Sequence, residues 1–202
     1  MKNRIISILV FIFAMAAARV GTDYFREWRA SNTVETQMTE LRAEAKAGNP
    51  NLPEILAIRE TSIAKVEELV NSSANANEKL QNAASTFLGF YLINQTARVS
   101  YCDALGVGIL PFKNAFEVFY GAEYEKAVQV LSFDSAGLSQ LYRILEPQFE
   151  PLIQQDIAYI AKENGITIGE ACQLISDNAD FLISEMDFSV SAPAAYSALM
   201  SE

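Results

Sequence analysis

Residues 80–105 read LQNAASTFLGFYLINQTARVSYCDAL, and this stretch decides the fold. It contains no proline, and its apolar side chains recur every three or four residues, which is the period of a helix with one buried face. The positions on that face are Leu80, Ala84, Phe87, Leu88, Tyr91, Gln95, Arg98 or Val99, Cys102 and Leu105. The pattern predicts the central helix of the protein.

The polar segment 72–77 precedes this helix, and Gly106 and Gly108 follow it, so we expect a break at each end. Pro111 suits the first turn of the next helix, which would carry a dense aromatic patch. The patch consists of Phe112, Phe116, Phe119, Tyr120 and Tyr124. Core packing is one explanation of the patch. The alternative is an apolar groove for a lipid tail, another apolar ligand or a partner helix.

Residues 31–71 have the pattern of a helical hairpin. Two apolar stripes at helical spacing flank the turn-forming sequence GNPNLP at 48–53. The stripes are Val34, Met38, Leu41 and Ala45, and then Leu56, Ile63, Val66 and Val70. A short coiled-coil stalk beside a membrane is the alternative interpretation, although each stripe covers fewer than three heptads.

The rest of the chain also has helical patterns. Asp134 and Ser135 are suitable N-caps, and Pro147 predicts either a boundary between two helices or a kink near Glu146. Thr167 and Glu170 have the spacing of a capping box, which predicts a helix with a buried face from Ile168 to Met186.

Together these segments predict an all-α fold, with a single bundle of about six helices behind an N-terminal hydrophobic helix. No alternating strand pattern and no internal repeat is present in the sequence. We expect an acidic helical domain at 31–191, a juxtamembrane segment at 22–30 and a C-terminal tail at 192–202.

Residues 1–21 resemble a targeting segment in composition. Lys2 and Arg4 precede the uncharged run Ile5–Ala18, which ends in small residues as a secretory signal does. Arg19 interrupts the run before the length of a bilayer-spanning helix, but a retained anchor is the competing interpretation because an arginine can snorkel. A buried N-terminal helix of a cytosolic protein is a third. We expect an exported or membrane-anchored protein, with the helical domain outside the cytoplasm.

Charge is unevenly distributed along the chain. Residues 1–101 hold 11 Lys/Arg and 10 Asp/Glu, whereas residues 102–202 hold 4 and 15. An acidic surface repels the phosphate backbone of nucleic acids, so we expect no nucleic-acid partner.

The chain contains no histidine, and this excludes several kinds of catalytic site. Ser-His-Asp and Cys-His catalysis and histidine-ligated zinc or iron sites all need an imidazole. Cys102 and Cys172 are too far apart in sequence for a CxxC motif. Both lie on predicted buried faces, so they form either a disulfide between two helices or a pair of free core thiols.

Carboxylate pairs such as Asp177 and Asp180 occur by chance in acidic helices and lack the calcium-binding loop pattern of an EF-hand. We therefore expect no catalytic residue, no metal site and no cofactor. The sequence favours a non-enzymatic envelope or secretory-pathway protein whose helical domain binds a protein partner. A carrier of a lipid or other apolar ligand is the alternative, and a histidine-free enzyme is the third class.

Overall fold

The computed structural model describes residues 24–201, and their side chains from residue 34 onward. The described part is all-α and contains no strand, which confirms the predicted fold class. The predicted signal or anchor at 1–21 lies outside the described residues, and so do the side chains of the predicted juxtamembrane segment 22–30. Within residues 24–201, no helix is both long and apolar enough to cross a bilayer.

Two long antiparallel segments begin the described chain: α1 (Tyr24–Gly48) and α2 (Glu54–Asn71). They pack against each other, and α1 also packs against the later helix α6. The stripe Val34, Met38, Leu41 and Ala45 is buried, since these residues face the protein's own core.

The central helix consists of α3 (Ala76–Leu92), a π-helical turn (Ile93–Ala97) and α4 (Arg98–Ala104). Asn75 caps its start by accepting a hydrogen bond from the Glu78 amide at 3.0 Å. Every residue from 83 to 95 is buried, because α5, α6 and α10 cover different sides of this segment together with α2. The predicted central helix is therefore confirmed.

Helix α5 (Leu110–Leu131) carries the aromatic patch, and α6 (Ser135–Asn164) follows after a turn capped by Asp134. Of the two alternatives predicted near Glu146, the helix boundary is wrong, because α6 continues through Pro147 and Pro151. The two prolines are four residues apart, so they share one face, while Leu145, Phe149 and Ile153 anchor the buried side. Burial on that side offsets the backbone hydrogen bonds that proline cannot make.

After α6, four short helices complete the described chain: α7 (Ile168–Asp177), α8 (Ala179–Glu185), α9 (Phe188–Ser191) and α10 (Pro193–Met200). The single predicted helix from Ile168 to Met186 is wrong, because it is interrupted at Asn178. The Asn178 side chain donates to the Leu174 carbonyl at 2.8 Å, a local bond that competes with the helical ladder. These breaks explain why the described chain has more helical segments than the predicted six.

Candidate functional site

A disulfide joins the central helix to α7. The sulfur atoms of Cys102 and Cys172 are 2.06 Å apart, their Cα atoms are 5.8 Å apart, and both residues are fully buried. The predicted disulfide is confirmed. Disulfides persist in oxidising compartments, so this buried bond indicates an oxidising, extracytoplasmic environment.

The capping box positions the α7 half of this bond. The Thr167 hydroxyl accepts from the Glu170 amide at 3.2 Å, and the Glu170 carboxylate accepts from the Thr167 amide at 2.8 Å. The hydrogen bonds from Thr167 lower the pKa of Glu170. The cap therefore fixes the start of the helix that carries Cys172.

The aromatic patch on α5 is divided between core and surface. Phe112, Phe116 and Tyr120 are buried, and the ring centroids of Phe116 and Tyr120 are 4.7 Å apart. Phe119 is 48% exposed, and Tyr124 is partly buried with its ring stacked on Tyr91 at 4.2 Å. Three of the five residues proposed to line a groove thus pack within the core, while Phe119 remains open to solvent.

Tyr120 also makes a buried polar connection. Its hydroxyl donates to the Met186 carbonyl at 2.8 Å and accepts from the Phe188 amide at 3.3 Å. Burial raises the pKa of Tyr120 well above its ordinary value. The neutral phenol therefore connects α5 to the junction of α8 and α9.

A buried polar cluster lies beside the π-helical turn. Arg98 forms an ion pair with Asp156 of α6 at 2.7 Å, and its Nε donates to the Asn94 side-chain oxygen at 3.2 Å. The Asn94 amide nitrogen donates in turn to the Phe90 carbonyl at 2.9 Å. Burial raises the pKa of Asp156, while the positive charges of Arg98 and Arg59 oppose this effect. Asn94 of the π turn, a feature often found at functional sites, thus holds Arg98, the first residue of α4, which pairs with Asp156 of α6.

This cluster does not have the composition of a catalytic centre. Its one carboxylate is occupied by an ion pair, and a second carboxylate for acid-base catalysis is not among its members. Within the described residues, no three His, Cys, Asp or Glu side chains converge to hold a metal ion. Asp177 and Asp180, the carboxylate pair singled out in the sequence, are both solvent-exposed. The cluster is best explained as a structural connection between two helices.

The outward face of α5 has a different character. Residues 110, 114, 118 and 122 are spaced by four and therefore form one ridge along the helix. All four are exposed and none is charged, with Leu110 58% and Val118 87% exposed. We call these four residues, Leu110, Asn114, Val118 and Ala122, the α5 ridge. Phe119 lies beside it.

Sequence reasoning identified neither the ridge nor the Arg98–Asp156 pair. Arg98 is one of two alternatives, with Val99, on the predicted central helical face, but nothing in the sequence indicates its partner on α6. The sequence does not mark Val118 as an exposed apolar residue, because the apolar period of α5 follows its buried aromatic residues.

The chain matches no protein-family model, no curated protein and no solved structure.

Proposed function

We propose that this protein is a non-enzymatic, extracytoplasmic binding protein whose helical domain engages a protein partner through the α5 ridge. The proposal includes an export signal or membrane anchor at residues 1–21, for which the basic start and apolar run of that segment are the support. The buried Cys102–Cys172 disulfide supports an oxidising compartment.

The observation that carries the proposal is the exposure of apolar side chains on a well-packed helix. Val118 and Leu110 are 87% and 58% exposed, although α5 packs its opposite face against α3. Single exposed apolar residues are common on protein surfaces, but an uncharged row with an aromatic side chain beside it favours an interaction surface. The absence of histidine from the sequence removes the catalytic sites that depend on imidazole, which favours binding over catalysis.

Photocrosslinking in the native cell tests the proposal. A photoreactive phenylalanine analogue placed at Val118 should yield a discrete crosslinked species. Val190 supplies the matched control, because it is another valine that is strongly exposed, at 76%, and lies on α9. Absence of a discrete product at position 118, or the same products from both positions, would contradict the proposal.

A further inference from the structure

Helix α5 and the two helices α7 and α8 carry mostly negative charge. Helix α5 packs against α7 and α8, and these three helices together contain seven acidic residues, two lysines and no arginine. The acidic residues are Glu117, Glu123, Glu125, Glu170, Asp177, Asp180 and Glu185. Lys113, one of the two lysines, is 3.6 Å from the Glu117 carboxylate and is partly neutralised by it.

Exposed acidic residues occur along the length of the ridge. Asp103 lies near its N-terminal end, where the carboxylate approaches Gly108, two residues before Leu110. Glu117 directly precedes Val118, and Glu125 lies three residues after Ala122. Asp103, Glu117 and Glu125 are all exposed. The two lysines of α5 are also close, since Lys113 precedes Asn114 and Lys126 continues the ridge at the same spacing, so the uncharged centre is flanked by a net negative charge of three carboxylates against two ammonium groups.

The dimensions of the ridge suit a helix. From residue 110 to residue 122 a helix rises about 18 Å at 1.5 Å per residue, which corresponds to about three turns of a partner helix. Amphipathic helices dock through apolar residues spaced by three and four, and charged residues at the rim set the choice of partner.

We infer that the partner segment bound by the α5 ridge is a basic amphipathic helix, with apolar side chains against Leu110 and Val118 and Lys or Arg beside the flanking carboxylates. This inference rests on the proposed function and adds the chemistry of the partner. The same negative charge disfavours an anionic lipid surface as the occupant.

Peptide binding to the full chain tests the inference. The probes are an 18-residue amphipathic helix of leucine and lysine, its leucine and glutamate counterpart, and a leucine and lysine peptide of the same composition without an apolar face. We expect fluorescence anisotropy to show binding of the first probe only. Binding should weaken as salt is raised, because salt screens surface charges.

Two substitutions separate apolar docking from simple charge attraction. Val118→Asp adds a negative charge but removes an apolar contact, so it should weaken the leucine and lysine helix by about tenfold, whereas charge attraction alone would strengthen it. Val190→Asp adds the same charge on α9 and should not weaken binding. Glu117→Gln together with Glu125→Gln should weaken it about two- to fivefold.

The outcomes distinguish this inference from the function on which it rests. Equal binding of the lysine and glutamate helices, or no effect of Val118→Asp, would overturn the basic-helix inference. If position 118 still forms a discrete crosslink in the cell, the protein-binding function stands with a partner of different chemistry. If neither peptide binding nor crosslinking is observed, both proposals fail. If no peptide binds but the full chain binds phosphatidylcholine vesicles, and Val118→Asp abolishes that binding, a membrane surface replaces the protein partner.

Discussion

The Arg98–Asp156 ion pair is the most consequential contact made by single residues. Both side chains are almost fully buried, and a charge left without its partner in such a place is strongly destabilising. The pair is nevertheless not expected to add much stability over a well-packed apolar pair, because both ions lose their hydration. Its main effect is to tie the start of α4, next to the π turn, to α6.

A double-mutant cycle on this pair should show strong coupling. Arg98→Met or Asp156→Leu alone should lower the free energy of unfolding by about 3–5 kcal/mol, and the double variant should lose less than the sum. Urea unfolding gives the four values. Lys65→Met, which removes the partly exposed ion pair with Glu44, should cost at most about 1 kcal/mol. Additive losses at 98 and 156 would contradict the coupling.

The capping box gives a prediction about pH. Because Thr167 lowers the pKa of Glu170 in the folded state, ionised Glu170 stabilises folding above its unfolded pKa, which is about 4.3. This contribution is lost as the pH falls through the lower, folded value. Glu170→Gln should therefore reduce stability at pH 7, and its difference from wild type should shrink as the pH falls towards 3.

Urea midpoints across this range measure the difference. Glu163→Gln is the control, since it removes the same charge from an exposed carboxylate near the end of α6. A difference between Glu170→Gln and wild type that stays constant from pH 7 to 3 would argue against the capping role.

At the scale of the elements, the Tyr120 hydroxyl makes hydrogen bonds with backbone groups at the α8–α9 junction, in place of regular helical hydrogen bonds. Tyr120→Phe leaves the Met186 carbonyl and the Phe188 amide without this partner while keeping the ring in place. The variant should lose about 1–3 kcal/mol of unfolding free energy in chemical denaturation. Tyr124→Phe is the matched control, because its ring stacks on Tyr91 and its hydroxyl is not part of this junction. Equal losses in the two variants would show that the junction does not depend on the hydrogen bonds.

Helix α10 depends on a carboxylate from a distant element. The Glu67 side chain on α2 accepts a hydrogen bond from the Ala194 amide at 3.0 Å, which satisfies a free donor at the start of α10. Glu67→Ala should speed amide hydrogen exchange in 193–200 by about three- to tenfold, consistent with a loss of about 1 kcal/mol. Glu68→Ala, at the exposed neighbouring position, should not. Unchanged amide hydrogen exchange in Glu67→Ala would show that the hydrogen bond from Ala194 to Glu67 does not stabilise α10.

The elements differ in how far local sequence determines them. The caps at Asp134 and Thr167 are predictable from the sequence, because a cap is made by residues three apart. The break at Asn178 was not, since an asparagine inside an apolar period does not by itself end a helix. The path of α6 through Pro147 also depends on burial of its opposite face, which a local pattern cannot supply.

At the scale of the whole molecule, the disulfide closes a long segment that contains α5 and α6. Cys102→Ser with Cys172→Ser should lower the free energy of unfolding by about 2–5 kcal/mol, because the unfolded chain regains the freedom that the bond removes. Thermal unfolding of the double variant and of the oxidised wild type measures the loss. Equal stability would show that the bond contributes nothing to the fold.

The placement of the helices in the whole molecule explains which parts of the site are predictable from the sequence. Two cysteines on apolar faces of helices allow either a disulfide or two free core thiols, and only the placement of the central helix beside α7 decides between them. The Arg98–Asp156 pair and the α5 ridge depend on how helices are placed around one another. Their recognition therefore required the three-dimensional arrangement.

The complete enclosure of residues 83–95 has a consequence for how this chain can vary. In an ordinary amphipathic helix, every third or fourth position is open to change, so a scan of all substitutions shows a periodic pattern of tolerance. Here each position contacts protein on its own side. A mutational scan would show one unbroken intolerant band in which the helical period has disappeared, and sequence drift among descendants of this chain would be slowest there.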